Sequence, residues 1–304
     1  MKTTPPSAPF SIHRREFLAK LGGLGAAALL SRATVATAAE ETIAPPAHRP
    51  GRLKQAICRG VFRGVKLSDE ETCREVAKAG AWGIDLVGTE MFPLLKKYGL
   101  LPTMIKMPGG SEIKAGINDP KLHAGIDEHT RAQIKAAAEF GAPNVIILAG
   151  DGKGFTAEES MDNCVKFLTG IKAQAEDAGV TLCMELLNSK VNHPGYVCDH
   201  TAWGVEVCKR VNSPRVKLLF DIYHMQIMEG DIIRTIQQNF AHLGHFHTAG
   251  NPGRHEFDDT QEMNYTAICK AIADLGYTGY ISHEYTPTKD PFGTLDRMMR
   301  LCEV

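Results

Sequence analysis

Four residues in the second half of the chain are of types that bind metals and move protons: Glu185, Asp221, His247 and Glu284. They are 36, 26 and 37 residues apart. Each ends an apolar run: Cys183-Met184-Glu185, Leu219-Phe220-Asp221, His245-Phe246-His247 and Ser282-His283-Glu284. Three carboxylates brought to one place raise one another's pKa, so the cluster needs a compensating charge. A divalent cation supplies it and leaves a single net negative charge. Oxygen-rich ligation with one imidazole suits Mn²⁺ or Mg²⁺ better than a structural zinc. Two glutamates beside such an ion can also take a proton from a carbon and return it. One carboxylate alone would read as a cap or a salt-bridge partner. Four ligand types at four successive run ends read as a metal site.

Those ends must be positioned by regular elements. Eight apolar runs read as strands: Leu53–Ile57, Trp82–Val87, Leu101–Met107, Val145–Ala149, Val180–Leu186, Val216–Asp221, Leu243–Thr248 and Tyr280–Glu284. Helical spacing lies between them. Asp127–Phe140 repeats Ile134, Ala137 and Ala138; Thr156–Ala178 repeats Cys164, Phe167, Leu168, Ile171 and Ala175. Asp231–Phe240 and Met263–Leu275 are similar, and Gly141, Gly179 and Gly276 stand where C-caps belong. Strand-helix alternation implies parallel pairing. Eight such units predict an α/β fold, a single-domain (β/α)8 TIM barrel over residues 53–304. A doubly wound sheet is the alternative, but no GxGxxG or GxxxxGK[ST] follows an early strand. Barrel chemistry sits at the C-terminal strand ends. Spaced by about one βα unit each, the four ligands would share one mouth.

Residues 1–38 read as an export signal. Arg14-Arg15-Glu16-Phe17-Leu18 precedes a short apolar run, Leu21–Leu30, and Ala36-Thr37-Ala38 fits a cleavage site. The paired arginines indicate the twin-arginine route, with a periplasmic or extracellular destination. Residues 39–52, with Pro45, Pro46 and Pro50, read as a linker. The whole chain of 304 residues carries 34 basic and 35 acidic side chains. Residues 1–38 hold five of the basic and one of the acidic ones, so residues 39–304 carry 29 against 34, a net −5. That balance speaks against a nucleic-acid partner. Ten apolar residues cannot span a bilayer, so no membrane partner is expected for the mature form. The eight cysteines show no CxxC pair and no compact spacing, hence no zinc ribbon or disulfide scaffold.

Several stretches carry a family likeness: Asn118-Asp119-Pro120, Pro143-Asn144-Val145 through Gly150, Met184-Glu185-Leu186-Leu187-Asn188, His193-Pro194-Gly195-Tyr196, Phe220-Asp221-Ile222-Tyr223-His224-Met225-Gln226, Gly250-Asn251-Pro252-Gly253-Arg254-His255-Glu256, Asn264-Tyr265 and His283-Glu284-Tyr285. From about residue 53 onward the chain resembles the hydroxypyruvate isomerase family of the xylose-isomerase-like barrels. The resemblance implies that Glu185 and Glu284 are the acid/base pair and touch the metal. Asp221 and His247 would complete its coordination. It implies a divalent-metal isomerase that converts hydroxypyruvate to tartronate semialdehyde, or acts on a related hydroxy-ketone. The partner would be a small carbohydrate or hydroxy-keto acid; a homo-oligomer is left open. Many members have Gln where this chain has His247, whereas ketose 3-epimerases of the same superfamily have His there. A ketose 3-epimerase of the tagatose/psicose type is therefore the alternative activity. A non-catalytic exported sugar-binding barrel is a further one, and a phosphodiesterase would need more histidine ligands and a basic face.

Four further residues are candidate substrate ligands. His224, three residues past Asp221, could bond a substrate oxygen or cap a helix. Arg254 could grip a terminal carboxylate in a fork, or order its own loop against Glu256, Asp258 or Asp259. Lys106 at the end of the third strand and His193 in the fifth loop complete the set. His245, two residues before His247, is expected deeper in the barrel, and His242, His255 and His283 are read as packing residues.

Overall fold

The computed structural model describes residues 47–109 and 111–304. Residues 1–38, read above as an export signal, and most of the proline-rich stretch lie outside them. Eight parallel strands close into a barrel in chain order. They are β1 (Lys54–Cys58), β2 (Gly83–Val87), β3 (Leu101–Ile105), β4 (Asn144–Ile147), β5 (Thr181–Glu185), β6 (Val216–Asp221), β7 (Leu243–Thr248) and β8 (Tyr280–His283). Strand β8 pairs back on β1 through Lys54–Tyr280 and Ile57–His283. The helices are α1 (Asp69–Lys78), α2 (Phe92–Lys97), α3 (His123–Phe140), α4 (Ala157–Ala178), α5 (Thr201–Val211), α6 (Ile222–Met228), α7 (Ile232–Asn239), α8 (Tyr265–Asp274) and α9 (Pro291–Leu301). The single (β/α)8 barrel expected from the alternation is present. Strands β6 and β7 have the expected bounds, and the others differ by one or two residues at one end or both.

Local chemistry sets these bounds. Ser68 and Thr156 start α1 and α4, each in a reciprocal capping box with Glu71 and Glu159. Gly141 and Gly179 end α3 and α4 in the left-handed conformation that a glycine adopts without cost. Asp221 ends β6 and caps α6 at once, because its side chain accepts the His224 N–H. A strand thus passes straight into a helix, a transition that the apolar pattern of residues 216–228 did not reveal.

The strands are buried on both faces, as a parallel sheet wrapped in helices requires. All eight cysteines are buried and free of disulfides; Cys183 is a fully buried strand residue. Residues 47–52 lie against the barrel rather than apart from it. His48 stacks on Trp82 with ring centroids 3.8 Å apart. Arg49 pairs with Asp296 and Glu303, and the Arg52 N–H bonds the Val304 carbonyl at 2.9 Å. No helix among the described residues is long and apolar enough to cross a membrane.

Gly83 shows how closely neighbouring strands approach. A Cβ there would overlap the Leu101 carbonyl oxygen on β3, a backbone atom that cannot yield. Gly170, inside α4, has nothing within 4 Å of its would-be Cβ. Gly83→Ala should therefore lower stability by roughly 1–3 kcal/mol. Gly170→Ala should be neutral or raise stability by up to about 1 kcal/mol. Chemical denaturation followed by circular dichroism checks both signs.

Candidate metal centre

Glu185 and Asp221 end their strands, His247 is the last residue but one of β7, and Glu284 follows β8 directly. Strand pairing aligns Glu185 with Leu219, Leu219 with His245, and Asp221 with His247. One ligand atom from each of Glu185, Asp221, His247 and Glu284 lies within 4.8 Å of the other three. The His247 Nδ1 is 2.8 Å from Glu284 Oε2, 3.5 Å from Glu185 Oε1 and 4.0 Å from Asp221 Oδ2. Two tyrosines brace the strand ends. The Tyr196 hydroxyl donates to the Glu185 carbonyl at 3.0 Å and accepts the Ala149 N–H. Tyr265 does the same at Ala249, just past β7.

The donor set fits a hard divalent ion. Three carboxylates and one imidazole converge on one point. The His247 Nδ1 is buried and has no hydrogen-bond partner although Glu284 is close. A buried ring nitrogen aimed at a shared point, with no hydrogen bond, suits a lone pair offered to a cation. Cys58 reaches the same region, with Sγ 3.7 Å from His247 Nε2. Burial pushes this thiol up to about 12, so it keeps its proton and adds no soft thiolate to the site.

In the arrangement described, positive side chains balance the acidic cluster. The Arg254 Nη2 donates to Asp221 Oδ2 at 2.9 Å and to Glu284 Oε2. This corrects one expectation. Arg254 does not pair with Glu256, Asp258 or Asp259; it turns inward onto two of the metal ligands. Glu256 instead ties the seventh loop to the eighth, accepting the Thr288 and Lys289 N–H groups at 2.7 and 3.1 Å. Burial would raise the Glu284 pKa, but the charges of Arg254 and His247 outweigh it and hold the carboxyl at about 2. Burial and the neighbouring charges of Glu284 and Asp221 push Glu185 up to about 7, against the pull of His247. Burial opposes a charge on His247 too, yet the facing carboxylates of Glu284 and Asp85 raise its pKa above that of a free histidine.

The candidate substrate ligands divide. His224 faces the site, fully buried, with Nε2 3.8 Å from Asp221 Oδ2. Its Nδ1 accepts the Asn188 N–H at 3.1 Å and faces the Asn188 side-chain Nδ2. Burial and Arg254 lower its pKa to about 4, so the ring is neutral with its one proton on Nε2. The Arg254 Nη1, also a donor, lies 2.8 Å from that Nε2. His193 packs beside His224, ring centroids 5.3 Å apart. Lys106 does not join them: its Nζ is exposed and pairs with Glu90 at 3.1 Å. His283 is a packing residue as expected, bonded to Thr248 and Gln55.

Sequence reasoning missed Asp85. This carboxylate on β2 is fully buried, and His245, expected deeper in the barrel than His247, is bonded to it at 2.6 Å. The same Oδ2 accepts from His247 Nε2 at 3.0 Å. An aspartate in the middle of an otherwise apolar strand, Gly83-Ile84-Asp85-Leu86-Val87, is the signal that could have found it.

A family model described as xylose isomerase-like TIM barrel matches residues 70–302. A hydroxypyruvate isomerase of Escherichia coli is 29% identical over 203 residues, covering 65% of this chain and 78% of that protein. A 2-oxo-tetronate isomerase of Haemophilus influenzae is 27% identical over 230 residues, 72% of this chain and 88% of that one. Among solved structures, an AP endonuclease, family 2, from Brucella melitensis superposes with a TM-score of 0.74 at 23% identity, covering 82% of this chain and 99% of that one. A D-psicose 3-epimerase solved in the presence of D-fructose superposes with a TM-score of 0.65 at 21% identity, covering 82% and 96%. At these identities the two structures speak to the fold alone.

Proton competition gives the site a pH signature. Glu185 must lose its proton to act as a ligand, and its pKa is pushed up to about 7. Proton loss from Glu185 alone should make Mn²⁺ affinity fall up to about tenfold per pH unit below 7, and the His247 Nδ1 proton, which must also leave, adds to that fall. Calorimetry at pH 6 in buffers of different ionisation enthalpy should detect up to about two protons released per ion bound, one from His247 and one from Glu185. Without the ion, the folded protein holds this proton above the pH, about 4.3, where the unfolded chain gives it up. The Glu185 contribution to the stability of the metal-free protein should fall as pH rises from there toward 7, while the lowered pKa of His224 contributes a slope of the opposite sign. Glu185→Gln should remove the Glu185 contribution, read as the difference from wild type.

Proposed function

Because the chain belongs to the xylose isomerase-like TIM barrel family, we propose that it is a divalent-metal isomerase of the hydroxypyruvate type. It would move a carbonyl along a short hydroxy-keto acid. The observation that carries this reading is the convergence of Glu185, Asp221, His247 and Glu284 within 4.8 Å. The relatives named hydroxypyruvate isomerase and 2-oxo-tetronate isomerase support the substrate class, since each name describes an acid with a keto group beside the carboxylate.

Glu185, Asp221, His247 and Glu284 would hold the ion, Mn²⁺ or Mg²⁺ by the hardness of the donors. When bound, it supplies positive charge against the negative charge that builds on the substrate oxygens as the carbon proton leaves. The chain's own residues do the rest. One glutamate takes the proton from the carbon next to the carbonyl, giving an enediolate, and it or its partner returns a proton to the adjacent carbon. The His224 Nε2–H is fixed as a donor by Asn188 and would bond a substrate oxygen.

Arg254 fits the carboxylate end of such a substrate. Its guanidinium now lies on Asp221 and Glu284 and faces the Nε2–H of His224, donor against donor at 2.8 Å. An ion on those carboxylates would take over the charge that Arg254 neutralises. The freed fork could then accept a substrate carboxylate in two parallel hydrogen bonds. His193, beside His224, would line the same end.

His247 itself favours one alternative, a ketose 3-epimerase, because histidine rather than glutamine stands at that ligand position. The two activities differ only in where the proton returns, to the neighbouring carbon or to the opposite face. For location, we propose twin-arginine export, supported by Arg14-Arg15 and Ala36-Thr37-Ala38.

Glu185→Gln and Glu284→Gln should each lower turnover by at least about 10²-fold with the fold intact. Full activity in either would end the assignment. Proton NMR in D₂O with Mn²⁺ separates the activities. Appearance of tartronate semialdehyde from hydroxypyruvate supports the isomerase, and exchange at C3 of D-fructose or D-tagatose supports the epimerase. Ligand binding indifferent to EDTA would favour a non-catalytic barrel. Replacing Arg14 and Arg15 together by Lys should leave the protein in the cytoplasmic fraction of its host; unchanged export would reject the twin-arginine route.

A further inference from the structure

We propose that Asp85 is a positioning residue for the cation site: its carboxylate holds His247 by Nε2–H, so that Nδ1 alone faces the ion. This rests on the reading of the four-residue cluster as a cation site. Asp85 lies on β2, on none of the strands that carry the ligands, and is fully buried. Three donors converge on it. The Nε2 of His245 and the Nε2 of His247 reach Oδ2 at 2.6 and 3.0 Å, and the Thr103 hydroxyl donates to Oδ1. An ionised carboxylate can only accept, so each imidazole must place a proton on Nε2. The tautomer of His247 then follows for the neutral ring that an ion requires: with Nε2–H held by Asp85, only Nδ1, which points at Glu185, Asp221 and Glu284, is left to offer a lone pair.

The partners of Asp85 are themselves fixed. Asn144 Nδ2 donates to the Thr103 carbonyl at 3.0 Å and lies 3.4 Å from His245 Nδ1. Asn144 Oδ1 faces the Cys183 thiol at 3.7 Å. Donor and acceptor roles agree along the series from β5 through β4 and β7 to β2. His245 thus braces the carboxylate that orients His247, and has no position of its own among the ion's ligands. Strand β2 is distorted where it delivers Asp85. Its register with β3 shifts on both sides of this residue, and Leu86 adopts φ +59°, a left-handed conformation that leucine rarely takes.

Two measurements test the assignment. In wild-type protein labelled with ¹⁵N-histidine and loaded with Mg²⁺, the His247 ring should be protonated at Nε2 and bare at Nδ1. Asp85→Leu removes the acceptors at nearly the same size, and should bind Mn²⁺ about 10–100-fold more weakly by calorimetry while still folded. Asp85→Asn should recover most of the affinity. Its amide oxygen can accept both Nε2–H groups while its NH₂ turns to the Thr103 hydroxyl. A wild-type His247 protonated at Nδ1, or a folded Asp85→Leu protein with unchanged affinity, overturns the proposal. If Asp85→Leu does not fold, the wild-type spectrum decides. Wild-type protein that binds no Mn²⁺ refutes instead the cation site on which the proposal rests.

Discussion

Three carboxylates that meet within 4.8 Å cannot all be ionised without a positive partner, and the rest of the structure is arranged around that repulsion. Two cationic side chains answer it in the described arrangement. The guanidinium of Arg254 lies on Asp221 and Glu284, and His247 is drawn toward its charged form by the acids around it. The repulsion that remains is stored on Glu185, whose proton is retained up to about pH 7. A divalent ion would relieve all three groups at once. Binding would release the Glu185 proton and the His247 Nδ1 proton, turn that lone pair to the ion and dismiss Arg254 toward the substrate. Charge balance therefore couples the occupancy of the cation site to the part of the mouth where a substrate carboxylate would lie.

The barrel makes such a cluster affordable because the ligands sit on separate strands. Each strand end is fixed by its own neighbours, through the Tyr196 and Tyr265 hydroxyls and the cap that Asp221 places on α6. No ligand depends on a flexible loop for its backbone position except Glu284, which follows β8 by one residue and whose N–H is held by the Thr248 carbonyl at 2.9 Å. Electrostatic work done against the carboxylates is thus spread over hydrogen bonds between strands, where the backbone is least able to give way.

The chemistry-bearing strand ends were legible in the sequence because a parallel barrel strand announces itself twice. It is an apolar run, and the polar residue that ends the run marks the mouth. Glu185 and Asp221 obey both rules, and His247 stands one residue short of the end of β7. What was not legible depended on long-range geometry. Arg254 carries an acidic neighbour two residues away, so a local ion pair was as good a reading as an inward turn. Only the folded seventh loop, where Arg254 adopts φ +57°, aims it at the cluster. Asp85 sits two residues before its strand ends, so a rule that inspects only strand ends passes over it. The β2–β3 register shifts that set its direction have no counterpart in hydrophobic pattern.

His245 and His247 show why the layer below the mouth matters as much as the mouth. Alternate residues of a strand share a face about 6.6 Å apart, so both rings point into the barrel at different depths. Had His245 been free, a second imidazole just below the first could have drawn an ion downward. Asp85 forestalls this by accepting from both Nε2 atoms at once. The proton on His245 Nε2 is committed to Asp85, and Asn144 stands at its Nδ1. The two histidines of one strand are thereby given different tasks by a carboxylate from another, one facing the acids and one bracing the carboxylate beneath them. A strand pattern alone, which treats residues two apart as equivalent, has no means of distinguishing them.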